Sequence, residues 1–262
     1  MPYIKQKEGD IHYEISGSGP IHVVFLHGFL GNLSVWDRYL TDLDSRYTIL
    51  RVDLAGHGKS NCLSETHTME LMAEQVIKVM DLEELPKAHF VGHSMGGYVS
   101  IAAAQKNSDR VESITLFNST TAEDSPQKKV DRIRTIRVLE LSHELFVSEA
   151  INNLFAPKNL IKYPEEVATL KQMGLATGLA GGAPALRGMA LRTDQSEELK
   201  KLEIPLLFIA GAHDNVIPIE SVKSQVIDLD AELLELENAG HMAFVEEYEA
   251  TLIALQNFWK SI

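Results

Sequence analysis

Only one cysteine, Cys62, occurs in 262 residues, so no internal disulfide can form and a reducing, cytoplasmic setting is the expectation. No apolar run approaches the roughly 20 residues of a membrane-spanning helix. Residues 1–14 mix charges where a signal peptide would carry an apolar core. Positive charge is scarce: 24 Lys and Arg stand against 37 Asp and Glu, a formal balance of −13 that argues against nucleic acid or an anionic membrane surface as partner. Metal-ligand spacing is missing, because His57, His213 and the other histidines lack a second ligand three or four residues on with a third nearby. Gly58-Lys59-Ser60 imitates the end of a phosphate-binding loop, but such a loop needs a glycine five residues before Gly58, and Asp53 stands there. No internal repeat or low-complexity tract is visible. The expectation from these absences is neither a metal nor a nucleotide cofactor, and the oligomeric state stays open.

What is present is a regular alternation of strands and helices, long enough for one large domain or a domain with an insertion. Short strands are expected over 2–7 and 10–16, followed by Ile21–Leu26, a helix over 33–44 and the strand Tyr47–Val52. Met69, Met72, Val76, Val79 and Met80 then recur at helical spacing within 67–84. An apolar strand ends at Val91, an Ala-rich helix begins after Ser94, and Val111–Phe117 is the next strand. Between about 121 and 195 the strands disappear, leaving three or four helical segments broken by Pro and Gly. Alternation resumes with a strand over 204–210, a helix over 218–228, a strand over 231–236 and a closing helix over 243–260. Such alternation implies a mostly parallel sheet covered on both faces. The helical interlude reads as a lid inserted over the C-terminal edge of the sheet, where open α/β sheets bind ligands.

The chemistry centres on Gly92-His93-Ser94-Met95-Gly96, set between that strand and that helix. A strand that turns so sharply into a helix forces its apex residue into a strained backbone conformation and projects the Ser94 hydroxyl above the sheet. The Met95 amide, at the positive end of the helix, is then free to stabilise an oxyanion, and the Phe29 amide in His27-Gly28-Phe29 is the candidate second donor. Ser94 needs a base, and the base needs an orienting group. His241, in Asn238-Ala239-Gly240-His241-Met242 between the last strand and the last helix, is the best of ten histidines. His12, His22, His67, His89 and His143 read as strand or surface positions. For the acid, Asp214 follows a strand in Gly211-Ala212-His213-Asp214; Asp124, further from its strand end, is the rival.

Together these residues resemble the α/β-hydrolase superfamily, specifically a serine esterase-like member with a helical lid. The resemblance rests on His27-Gly28-Phe29, Asp53-x-x-Gly56-x-Gly58-x-Ser60, Gly92-x-Ser94-x-Gly96-Gly97, Gly211-x-x-Asp214-x-x-x-Pro218 and Gly240-His241, in the order Ser, Asp, His. It implies an eight-stranded, mostly parallel sheet flanked by helices, with 1–120 and 196–262 as the core and 121–195 as an inserted cap. It also implies Ser94 as nucleophile, His241 as base, Asp214 as acid, and Phe29 and Met95 as the oxyanion hole. The Asp53–Ser60 segment would be a structural turn beneath the site. Haloalkane dehalogenases and epoxide hydrolases carry Asp where Ser94 stands. Menaquinone-pathway synthases usually carry Arg where Tyr98 stands. The expected reaction is therefore cleavage of small to medium, apolar carboxylic esters. A C–C bond hydrolase, an enol-lactonase, a synthase of that pathway and a slow-turnover receptor remain alternatives. Phe146, Phe155 and Met173 are expected to contact the acyl chain, and Gly181-Gly182 to be the hinge of the lid. The basic residues Lys128, Lys129, Arg132, Arg134 and Arg137 read as a solvated helix face, with binding of an anionic substrate as the alternative.

Overall fold

The computed structural model describes residues 2–43 and 45–262. Its sheet is built from β1 (Tyr3–Ile4), β2 (Ile11–Gly17), β3 (Ile21–Leu26), β4 (Tyr47–Val52), β5 (Ala88–His93), β6 (Val111–Phe117), β7 (Leu206–Gly211) and β8 (Glu232–Leu236). The spatial order is β1-β2-β4-β3-β5-β6-β7-β8. The β1–β2 and β2–β4 pairs are antiparallel, and every pair from β3–β4 onward is parallel.

The inner parallel strands are mainly apolar because both of their faces are buried, whereas the edge strand β8 exposes Glu232 and Glu235. Side chains alternate between the faces. On β3, Val24 and Leu26 join one core while Val23 and Phe25 join the other; on β7, Leu206, Phe208 and Ala210 part from Leu207 and Ile209 in the same way. The first core is closed by α2 (Met69–Leu82) and α3 (Met95–Lys106), with Met72, Met80 and Val99 among its buried residues. The second is closed by α1 (Asp37–Asp42) and by the C-terminal α10 (Ala243–Glu246) and α11 (Tyr248–Ser261), with Trp36, Tyr39 and Trp259 packed around Phe25. The helix expected over 33–44 is a 3-10 turn at Leu33–Trp36 followed by α1; the last residue of that expectation, Asp44, lies outside the described residues, as does Met1.

Between β6 and β7 the chain runs through α4 (Pro126–Leu141), α5 (His143–Leu154), α6 (Asn159–Lys162), α7 (Pro164–Leu191) and α8 (Ser196–Lys200); α9 (Ile219–Leu229) connects β7 to β8. α4 and α5 pack along α7. The interruption in α7 falls at Gly178, with φ 59° and ψ −167°, not at Gly181-Gly182, which are both buried in its second half. Among the described residues no helix is long and apolar enough to cross a membrane.

Candidate active site

Ser94 sits at the junction of β5 and α3 with φ 50° and ψ −112°, a conformation that the surrounding bonds must impose. Its amide donates to the Phe117 carbonyl at 2.9 Å. Its carbonyl accepts from the Gly97 amide at 3.0 Å and from the Ser119 hydroxyl at 2.8 Å. The turn is too tight for side chains on either flank. A Cβ on Gly92 would lie 2.3 Å from the Gly96 carbonyl oxygen, and one on Gly96 would lie 2.3 Å from that of Leu26. Neither the Met95 nor the Phe29 amide is used by a backbone hydrogen bond among the described residues.

Asp214 and His241 meet across the loops that follow β7 and β8. His241 Nδ1 lies 2.7 Å from Asp214 Oδ2, and both side chains are almost fully buried. The other oxygen, Oδ1, accepts from the Val216 amide at 2.7 Å and the Ile217 amide at 2.9 Å. Burial pushes the Asp214 carboxyl up, but the His241 ring and those two amides outweigh it and hold the group below its ordinary value. Asp124 is elsewhere: it is ion-paired with Arg132 and Arg192.

Three further residues shape this centre: Asn118 and Glu246, which belong to no motif, and His93, a variable position inside the Ser94 motif. Asn118, just past β6 with φ 45°, donates through Nδ2 to Asp214 Oδ2 and to the Gly240 carbonyl, each at 3.0 Å. His93 lies 2.9 Å through Nε2 from the His241 carbonyl, and burial followed by the neighbouring His241 ring lowers its pKa to about 3. A ring that stays neutral beside a carbonyl must carry its proton on Nε2. Glu246 accepts through Oε2 from the Gly240 amide at 2.7 Å and the Met242 amide at 3.2 Å, and through Oε1 from Ala156 N and Asn159 Nδ2, both at 2.8 Å. The His241 amide itself donates to the Leu154 carbonyl at 2.6 Å. The end of α5 is therefore bonded to the His241 loop, and the helical segment is not independent of it.

Ser94, His93 and His241 open into a cavity of about 190 Å³. Its walls include Phe29, Tyr98, Ile151, Leu154, Met189 and Arg132. Of the side chains expected to contact an acyl chain, Phe155 is instead core, at 1 % exposure, and Met173 lines a separate surface hollow. Phe146 packs against both cores and is not part of this wall. Helical spacing identified apolar positions, but it does not say which of them a kinked three-helix packing turns inward. A larger hollow of about 630 Å³ lies between α4 and the end of α7, away from Ser94. Beneath the site, Asp53 gathers the segment over 53–60: its carboxylate meets His12 Nδ1 at 2.8 Å and accepts from the Leu33 amide at 2.8 Å and the Lys59 amide at 2.9 Å. Among the described residues no group of three His, Cys, Asp or Glu side chains is placed to hold a metal ion.

The family model described as alpha/beta hydrolase fold matches residues 21–248. The chain is 27% identical over 243 residues to a 3-oxoadipate enol-lactonase of Acinetobacter baylyi, covering 92% of this chain and 89% of that protein. It is 28% identical to a pimeloyl-[acyl-carrier protein] methyl ester esterase of Klebsiella pneumoniae, covering 90% and 92%. A thermophilic esterase from Thermogutta terrifontis superposes with a TM-score of 0.91 at 28% identity, over 97% of this chain and 94% of that one. The match extends from β3 to the start of α11 and takes in every strand that borders the Ser94 turn, so the chain belongs to the alpha/beta hydrolase family.

Proposed function

We propose that this hydrolase cleaves carboxylic esters through an acyl-enzyme on Ser94. The observation that carries the reading is the buried His241–Asp214 contact of 2.7 Å, set in loops beside a strained Ser94 in one cavity. Asp214 holds Nδ1 of His241 protonated, which leaves Nε2 free to accept a proton. Ser94 Oγ attacks the carbonyl carbon while His241 takes its proton. The oxyanion that forms is met by the amides of Phe29 and Met95. His241 then protonates the departing alcohol, water attacks the acyl-enzyme with His241 again as base, and the free acid leaves with Ser94 restored.

The reading assigns 1–120 and 196–262 to the catalytic core and 121–195 to a cap. The small cavity, about 190 Å³ against roughly 300–1,000 Å³ for sites that hold drug-sized ligands, favours short acyl groups. A lactone is an internal ester and needs no different machinery, so the similarity to an enol-lactonase fits the same chemistry. The lone cysteine fits a cytoplasmic setting. The test is hydrolysis of short p-nitrophenyl esters and lactones by the native chain and by Ser94→Ala. The native chain is expected to turn them over, and the variant to lose roughly 10⁴-fold or more in kcat. Near-native turnover by Ser94→Ala would overturn the assignment.

A further inference from the structure

Among the basic residues of α4, Arg132 stands apart. Lys129, Arg134 and Arg137 pair with Glu123, Asp131 and Glu140 on the outer surface. Arg132 instead forms part of the wall of the Ser94 cavity, with its side chain only 14% exposed. Two of its nitrogens are held by Asp124: Nε by Oδ2, and Nη2 by Oδ1 at 3.1 Å. The remaining nitrogen, Nη1, donates to the Met189 sulfur at 3.3 Å, and the Tyr98 hydroxyl, also on the cavity wall, is a hydrogen-bond partner of the guanidinium. Asp124 and Tyr98 thus lock the guanidinium in orientation, and the thioether beside Nη1 is a weak acceptor that a substrate oxygen can displace.

Asp124 does not neutralise this corner. Its Oδ1 also accepts from Arg192 Nη2 at 3.3 Å, and the Arg192 guanidinium lies 3.8 Å from the centre of the Tyr98 ring. Lys128 reaches in as well, donating to the Val216 carbonyl at 3.1 Å. Two guanidiniums thus share one carboxylate with the Lys128 ammonium close enough to act on it, and the next acid, Asp214, is bound to His241. Burial and then the repulsion of Arg132 hold the Lys128 ammonium below its ordinary pKa, as an uncompensated positive corner would. This surplus lies inside a chain whose formal charge is −13. The rest of the wall is mainly apolar, with Phe29, Leu30, Ile151, Leu154 and Met189. One fixed guanidinium in an apolar pocket recognises a planar anion and orients what carries it.

We propose that Arg132 binds a free carboxylate of the substrate, so that the ester or lactone opened at Ser94 is a short one bearing a second, unesterified acid group. The proposal rests on the serine-hydrolase reading above and narrows its substrate class from apolar esters to carboxylate-bearing ones. The test compares monomethyl glutarate with the neutral methyl valerate, as the ratio of their kcat/KM values. The native chain is expected to favour the acid ester about tenfold to a hundredfold, the range for a charge-assisted bidentate contact. That ratio should collapse toward one in Arg132→Met, and also in Arg132→Met/Asp124→Asn, which removes both members of that pair and leaves Arg192 its bond to the Ala122 carbonyl and the Tyr98 ring. Arg132→Lys should restore part of it, because lysine keeps the charge but loses the fork. Labelling of Ser94 by a small fluorophosphonate shows whether each variant is folded and competent. A native ratio at or below one, or a ratio unchanged in variants that still label, overturns the carboxylate proposal and leaves the hydrolase reading standing. If the native chain neither labels nor turns over either ester, the hydrolase reading fails, and the proposal fails with it.

Discussion

At Asp214 four donors divide between two oxygens: Val216 and Ile217 amides on Oδ1, His241 Nδ1 and Asn118 Nδ2 on Oδ2. Asp214→Asn keeps the shape but offers an amide N–H where Oδ2 accepts or where the two backbone amides point. It therefore sets His241 in the wrong tautomer, and kcat for esters should drop about 10⁴-fold with the circular dichroism spectrum unchanged. A loss below about tenfold would contradict Asp214 as the orienting acid. Motif spacing singled out Ser94, Asp214 and His241 because each lies within a few residues of a glycine or proline in its turn. Asn118 gave no such signal, since an Asn after a strand is also an ordinary turn residue. Arg132 was legible only as one of five cations that could meet an anion: they look alike in sequence, and the rotation of α4 decides which one lines the Ser94 cavity.

The loop that carries His241 is held as an element by Glu246, whose two oxygens accept four N–H groups from the Gly240–Met242 turn and from residues 156–159. Burial holds this carboxyl above its ordinary pKa, although all four donors act the other way. Glu246→Gln must turn its NH₂ toward one pair of those donors, whichever way the amide is placed. Stability is expected to fall by about 3 kcal/mol. Phosphonylation of Ser94 should slow about tenfold or more, as the His241 ring loses its register. Unchanged melting and labelling would show that the loop holds its shape without the carboxylate. Three strands were legible to the residue, because Ile21–Leu26, Tyr47–Val52 and Val111–Phe117 are largely apolar runs bounded by turn formers, whereas the one expected over 2–7 is only Tyr3–Ile4. The helices between β6 and β7 were legible as helices only. Their break at Gly178, the burial of Phe155 and the link from Leu154 to His241 depend on packing partners far away in sequence.

Across the whole molecule, folding buries histidines in neutral form. The pKa values of His57 and His93 are lowered to about 3, and those of His67 and His89 to about 4, from 6.5, with burial the largest cause in each case. In the unfolded chain these rings take up protons near 6.5. As the pH falls below that value the unfolded state binds more protons than the folded one, so their contribution to stability is complete above 6.5 and is lost toward pH 3–4. Asp214 and Asp124, held below the ordinary carboxylate range, add to the loss at lower pH, whereas Glu246 opposes it. Each such histidine costs about 1.4 kcal/mol per pH unit in this window. The melting temperature should therefore be nearly flat from pH 8 to 7 and fall progressively from pH 6.5 to 4, and a flat profile down to pH 4 would refute the buried-neutral assignment. The same sheet that buries these rings brings the loops after β5, β7 and β8 to one edge, and the proposed function requires positions 94, 214 and 241 to act together there. The intact mass of the chain after exposure to a small fluorophosphonate tests that most directly. One phosphonyl group on Ser94, formed rapidly in the native chain, absent from Ser94→Ala and formed orders of magnitude more slowly in His241→Ala, is the predicted result. Equal labelling of all three proteins, or none of the native chain, would contradict it.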